Sequence, residues 1–156
     1  MDTSCLMLAD DLRVMPPRES DWFTLDAARV RAFADATEDW QPIHLDDEMA
    51  AQTPFGGTIA HGFLTLSMLS AMSYQVIYGL SGIASSVNYG FDRIRFVSPV
   101  RVGQRVRGRF SIAGVDEAED GAPWLDVHWD VEIEIEGADR PALAANWITR
   151  FYLAAP

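Results

Sequence analysis

Lysine is absent from this 156-residue chain, and all twelve of its basic side chains are arginine. Against them stand 23 acidic residues, which leaves a formal net charge of −11. So large an acidic excess argues against binding to a nucleic-acid backbone. Cysteine occurs once, at Cys5, which excludes an intrachain disulfide and a cysteine metal cluster. No apolar run reaches the roughly 18 residues that a membrane-spanning helix requires. The N-terminus has no basic segment leading into an apolar stretch, and Asp10-Asp11 fall where the core of a signal peptide would lie, so the expected compartment is the cytoplasm. Internal repeats and low-complexity tracts are also missing. The length suits one domain with a sizeable core.

Hydropathy patterning divides what is present into two halves. Residues 1–19 show weak periodicity and contain Pro16-Pro17, which reads as an N-terminal arm or loop preceding a single domain over 20–156. Trp22-Phe23-Thr24-Leu25 suits a short strand, and Asp26 stands where an N-cap belongs. Val30, Phe33, Ala34 and Thr37 then recur at helical spacing, predicting an amphipathic helix over 27–37. Pro42 disfavours helical geometry at Gln41, so a turn follows. Asp46-Asp47-Glu48 and Pro54-Phe55-Gly56-Gly57 read as a short helical turn and a loop. From Ala60 to Tyr78 the chain carries no charged residue, which predicts a helix buried on every side. Its Ser, Thr, Gln and Tyr residues suit a protein interior rather than a bilayer.

The second half alternates. Leu125, Val127, Trp129, Val131, Ile133 and Ile135 interleave with polar residues at period two, the mark of a strand with one buried face. Residues 85–97, 105–110 and 143–153 are further strands, and Glu119-Asp120-Gly121-Ala122-Pro123 marks a turn. Helices first and antiparallel strands afterwards predict an α+β domain, with one sheet curled round one apolar helix.

Few residues suggest chemistry. Asp39 and His44 flank a turn stiffened by Pro42 and form a candidate acid–base pair, because histidine changes charge near neutral pH. A capping aspartate beside a satisfied polar histidine would look the same. Gly62 opens the uncharged helix, where unpaired N–H groups and the helix dipole favour a developing oxyanion, and glycine lets a substrate approach the backbone. His61 reads as a buried histidine bonded to main chain. His128, on the polar face of its strand, reads as exposed and non-catalytic, and Cys5 has no recognisable partner. Ser67 and Ser70 read as small residues that permit close helix packing. Asp46, Asp47 and Glu48 read as a solvated turn rather than a metal site. Six arginines fall between Arg93 and Arg109, a cluster that could meet an anionic ligand or form a solvated strand face.

The run Ala36-Thr37-Glu38-Asp39-Trp40-Gln41-Pro42-Ile43-His44, then Ile59-Ala60-His61-Gly62-Phe63, then Asn88 through Gly103, resembles in order and spacing the motifs of the MaoC-like (R)-specific enoyl-CoA hydratases, particularly their NodN-like branch. The resemblance spans Asp21 to Leu153. Glu38 departs from the glycine usual in the family, and Gln41 from its common asparagine. The glutamate could place a third carboxylate near the pair.

The resemblance implies a hot-dog fold and a homodimer with a substrate tunnel near the subunit interface. It implies reversible hydration of a trans-2-enoyl thioester, carried by CoA or an acyl carrier protein, to the (R)-3-hydroxyacyl product. Asp39 and His44 would be catalytic and the Gly62 N–H would bind the thioester oxygen, with no metal or other cofactor. A hot-dog thioesterase and a non-catalytic acyl-thioester-binding subunit are the alternatives. Phe63, Met68 and Met72 are candidates for setting tunnel width.

Overall fold

A computed structural model describes residues 3–154 of the chain, with side chains from Met7 onward. The elements are α1 (Thr3–Arg13), β1 (Arg18–Glu19), β2 (Phe23–Thr24), α2 (Ala27–Thr37), α3 (Pro42–Leu45), α4 (Asp47–Ala51), α5 (Gly62–Ile77), β3 (Ile83–Phe96), β4 (Arg105–Glu117), β5 (Trp124–Ile135) and β6 (Leu143–Leu153). The strands form one antiparallel sheet in the order β1-β4-β5-β6-β3, with β2 also pairing to β4. This is the expected α+β, hot-dog arrangement of a long helix against a sheet.

The alternation in β5 does what period two requires. Leu125, Val127, Trp129, Val131, Ile133 and Ile135 are all buried against the helix layer. They meet Leu64, Met68, Met72 and Val76, which recur every four residues along α5 and so share one face. Phe110 of β4 sits edge-on to Trp129 in the middle of this core, ring centroids 6.1 Å apart. The polar face of β5 has one exception. Asp126 is buried, because Arg150 of β6 grips both carboxylate oxygens at 2.7 Å while its guanidinium lies between the Trp124 and Tyr89 rings. His128 is half-buried, not exposed, and pairs with Asp116 at 2.9 Å.

Two expectations need correction. Within the expected N-terminal arm or loop, Thr3–Arg13 is a helix: α1 places Leu8, Ala9 and Leu12 in the core, and Arg13 fastens the helix to β4 through Glu117 at 2.9 Å. Leu8 and Leu12 lie one helical turn apart, a signal that the Pro16-Pro17 turn obscured. The expectation for Cys5 concerns a side chain outside those described. Second, α5 is not buried on every side. Phe63, Tyr74 and Tyr78 are exposed, because a sheet covers only one face of a helix and no second layer covers the other among the described residues. No helix of the described residues is long and apolar enough to cross a membrane.

The helix α2 behaves as its sequence dictates. Asp26 caps it by accepting from the Arg29 N–H at 2.8 Å, and it ends at Glu38 in the left-handed conformation, φ 59° and ψ 25°. That position is the one where the resembling family carries glycine, and a residue with a Cβ is strained there. The Glu38 side chain is exposed, so it offers no compensating burial. Replacing Glu38 with glycine should raise stability by up to about 1 kcal/mol and Tm by about 2–4 °C. Thermal unfolding that shows an unchanged or lowered Tm would refute the strain.

Candidate active site

The turn after α2 is built to hold two side chains near the start of α5. Pro42 occupies the first position of the one-turn helix α3, where its missing N–H costs nothing. His44, on that helix, is buried, and its Nδ1 lies 2.8 Å from the Ile59 carbonyl oxygen. A carbonyl only accepts, so Nδ1 carries the proton and Nε2 keeps a lone pair. The segment leading into α5 is held straight by main-chain bonds. Ile59 N–H donates to Ile43 C=O at 3.0 Å, and Ala60 N–H donates to Val100 C=O at 2.8 Å. The acidic residues of the next turn are structural: Asp46 caps α4, and Asp47 accepts from Thr58.

Asp39, His44 and His61 come together, each with one nitrogen or carboxylate oxygen within 4.8 Å of the others. The Asp39 carboxylate accepts from Gln41 Nε2 at 3.1 Å, and Gln41 is the residue that departs from the family's asparagine. The exposed Glu38 carboxylate is not part of the cluster, so the expected third carboxylate is absent from it. His61 does bond main chain as expected, with Nε2 3.0 Å from the Asp39 carbonyl oxygen. Sequence spacing did not reveal its other contact: its ring packs against His44 with centroids 3.8 Å apart and planes tilted by 31°.

Burial pushes the His44 imidazole below its usual range, and the neighbouring His61 acts the same way. The Ile59 carbonyl and the Asp39 charge oppose them without reversing the direction. His44 and Gly62 line a cleft of about 280 Å³ together with Ile59, Thr65, Phe96 and Val97. Asp39 is not part of its wall. Gly62 is the first residue of α5, so its N–H has no intrahelical acceptor. A Cβ at Gly62 would stand 3.1 Å from the Phe96 ring, which makes this aromatic of β3 the immediate neighbour of the open backbone. Phe96 was missed because nothing local in the sequence signals that the end of β3 returns to the start of α5.

The remaining candidates disperse. Ser70 lines a separate hollow with Ser73 and Asn88, whereas the Ser67 hydroxyl bonds back to Leu64 C=O. Phe63 is exposed, and Met68 and Met72 are core residues. The arginine cluster divides. Arg105 pairs with Glu136 and Arg107 with Glu19 and Glu134, while Arg101 holds the carbonyls of Phe55 and Gly56. Arg93, Arg95 and Arg109 line a groove on the outer sheet face shared with Asp130 and Glu132.

Comparison with known proteins places this architecture. Residues 13–122 match the model of the MaoC like domain. The chain is 51% identical to nodulation protein N of Rhizobium leguminosarum bv. viciae over 84% of its own length and 81% of that protein. It is 44% identical to 3-hydroxyacyl-thioester dehydratase Z of Mycobacterium tuberculosis, covering 85% of this chain and 86% of the relative. Among solved structures, the (R)-hydratase from A. caviae involved in PHA biosynthesis superposes with a TM-score of 0.68 at 28% identity, over 86% of this chain and 92% of that one. With a matched family model across most of its length and relatives of this similarity, the chain belongs to the MaoC-like hydratase and dehydratase family, on the branch of the nodulation N proteins.

Proposed function

We propose that this protein is an enzyme that adds water reversibly across the C2–C3 double bond of a trans-2-enoyl-CoA to give the (R)-3-hydroxyacyl-CoA. The observation that carries this reading is the meeting of Asp39 with His44, whose side chain lines a cleft together with Gly62 at the first turn of α5. His44 is the base. Its Nε2 lone pair is free, and its lowered proton affinity keeps the imidazole neutral at physiological pH. It takes a proton from water as the oxygen bonds to C3, then returns that proton to C2 on the same face. Asp39 accepts the second O–H of the water and orients it. The Gly62 N–H, backed by the α5 dipole, hydrogen-bonds the thioester oxygen as negative charge develops there. The thioester carbonyl itself acidifies C2, so the reaction asks for no metal or redox cofactor.

The similarity to a 3-hydroxyacyl-thioester dehydratase supports an acyl-thioester substrate. A homodimer fits the surface. The β3 edge opposite β6 is unpaired among the described strands, and Ile83 to Phe91 carries no charge. Beside it stand the exposed Val87, Tyr89, Tyr74 and Tyr78. A second copy would cover this edge and the open side of α5 together.

Asp39→Asn and His44→Ala should each lower hydration of crotonyl-CoA roughly 10²–10⁴-fold without unfolding the protein. Loss of the conjugated absorbance with no release of free CoA separates hydration from thioester hydrolysis. Retained rates in both variants would sink the pair. The acid limb of the kcat profile should lie below the ordinary histidine value of 6.5, and Asp39→Asn should move it lower still by removing a charge that favours the imidazolium. Gly62→Pro tests the oxyanion contact. Proline is tolerated at a first helical position, and His61 already has the φ −59° and ψ 138° that precede proline. The variant should lose about 10²–10³-fold in kcat, with Gly62→Ala as the control for bulk near Phe96. Equal rates for the two would refute the contact. Sedimentation should give a dimer for the protein and a monomer for Val87→Lys, and a monomeric parent would overturn that assembly.

A further inference from the structure

We propose that His61 is a positioning residue for the acid–base pair: one imidazole anchors the Asp39 main chain through Nε2–H and backs the His44 ring with its face. The inference rests on the hydratase reading of the site and assigns a role to a residue outside the water-handling pair. Four observations converge on it.

The first is the tautomer. Nε2 lies 3.0 Å from a carbonyl oxygen, which can only accept, so the proton sits on Nε2 and Nδ1 is bare. Nδ1 is buried and has no hydrogen-bond partner. Leaving a buried acceptor unpaired costs about 1–3 kcal/mol, a cost that a phenylalanine or leucine packing there would not incur. The second is the cap position. His61 is the N-cap of α5 yet makes no capping bond, so its side chain is turned away from the task usual for that position. The third is the ring contact. His44 is pinned from one edge by the Ile59 carbonyl, and the His61 ring 3.8 Å away limits its rotation from the face. The fourth is the tie to α2: Phe33 packs on the His61 ring at 5.0 Å. One side chain thus joins the start of α5, where the Gly62 N–H lies, to the turn carrying Asp39 and the helix carrying His44. A catalytic geometry drawn from three elements needs such a tie, because displacement of about 1 Å can cost 10²-fold in rate.

The test uses two complementary variants of the full chain. His61→Gln keeps an amide N–H able to reach the Asp39 carbonyl and loses the ring. His61→Phe keeps a ring to pack against His44 and loses the N–H. Each is assayed for hydration of crotonyl-CoA, and the His44 imidazole is titrated by NMR in all three proteins. Asp39 and His61 are the titratable groups that act on His44. The proposal expects each variant to lose about 10–100-fold in kcat with KM within about twofold. It also expects the His44 titration to move in both variants, because the His61 ring is in direct contact with the His44 imidazole. A folded variant with parental kcat and an unmoved His44 titration would reduce His61 to packing and overturn the proposal, and so would lost kcat with the titration unmoved. If the parent protein hydrates no enoyl-CoA, the hydratase reading fails, while the His44 titration in the variants still decides whether His61 governs its environment.

Discussion

The structure depends on one packing event, the seating of α5 on the sheet through Leu64, Met68, Met72 and Val76. Burying those side chains against the apolar faces of β4, β5 and β6 is the main free-energy gain available to the chain. It also fixes where α5 begins. Because the helix cannot slide along a core already filled by Trp129 and Phe110, Gly62 and His61 are held at one end of the layer. Asp39, His44 and His61 come together at that end. The loop before α5 pairs with Val100 and Ile43, and this brings the His44 helix across to the same end.

Local strain and local order are unevenly distributed around that point. The chain reaches Asp39 through a left-handed Glu38 and leaves it through Pro42, so the turn is constrained on both sides. Buried polar atoms lie alongside, His61 Nδ1 among them without a partner. A stable core elsewhere allows such costs to persist.

Arginine illustrates how tertiary contacts redirect a sequence signal. The cluster from Arg93 to Arg109 looks like a positive patch in one dimension. In three dimensions Arg105 and Arg107 face glutamates across the sheet, and Arg101 serves main-chain carbonyls. Spacing along a strand gives the face a residue occupies, but the sign of the neighbouring strand is set by register. The buried Asp126–Arg150 pair is the same lesson from the other side: an aspartate on a nominally solvated face is covered because its cross-strand partner, at the matching register, is an arginine flanked by two aromatic rings.

Period two and period 3.6 are local properties, and they made β5, β6, α2 and the central helix legible directly from the residues, as did the cap at Asp26. The run from Ala36 to His44 and the pair His61-Gly62 stood out only through their resemblance to family motifs, since the residues alone read equally well as a capping aspartate beside a satisfied histidine. The sequence could not say that α1 is a helix in the core, since Leu8 and Leu12 are too few to outweigh the prolines that follow. Nor could it say that one side of α5 stays open, because burial depends on what lies opposite. The packing of the His61 ring against His44 and the approach of Phe96 to Gly62 also belong to the tertiary structure. Both join segments far apart in the chain, and only the closing of the sheet against α5 decides that they touch.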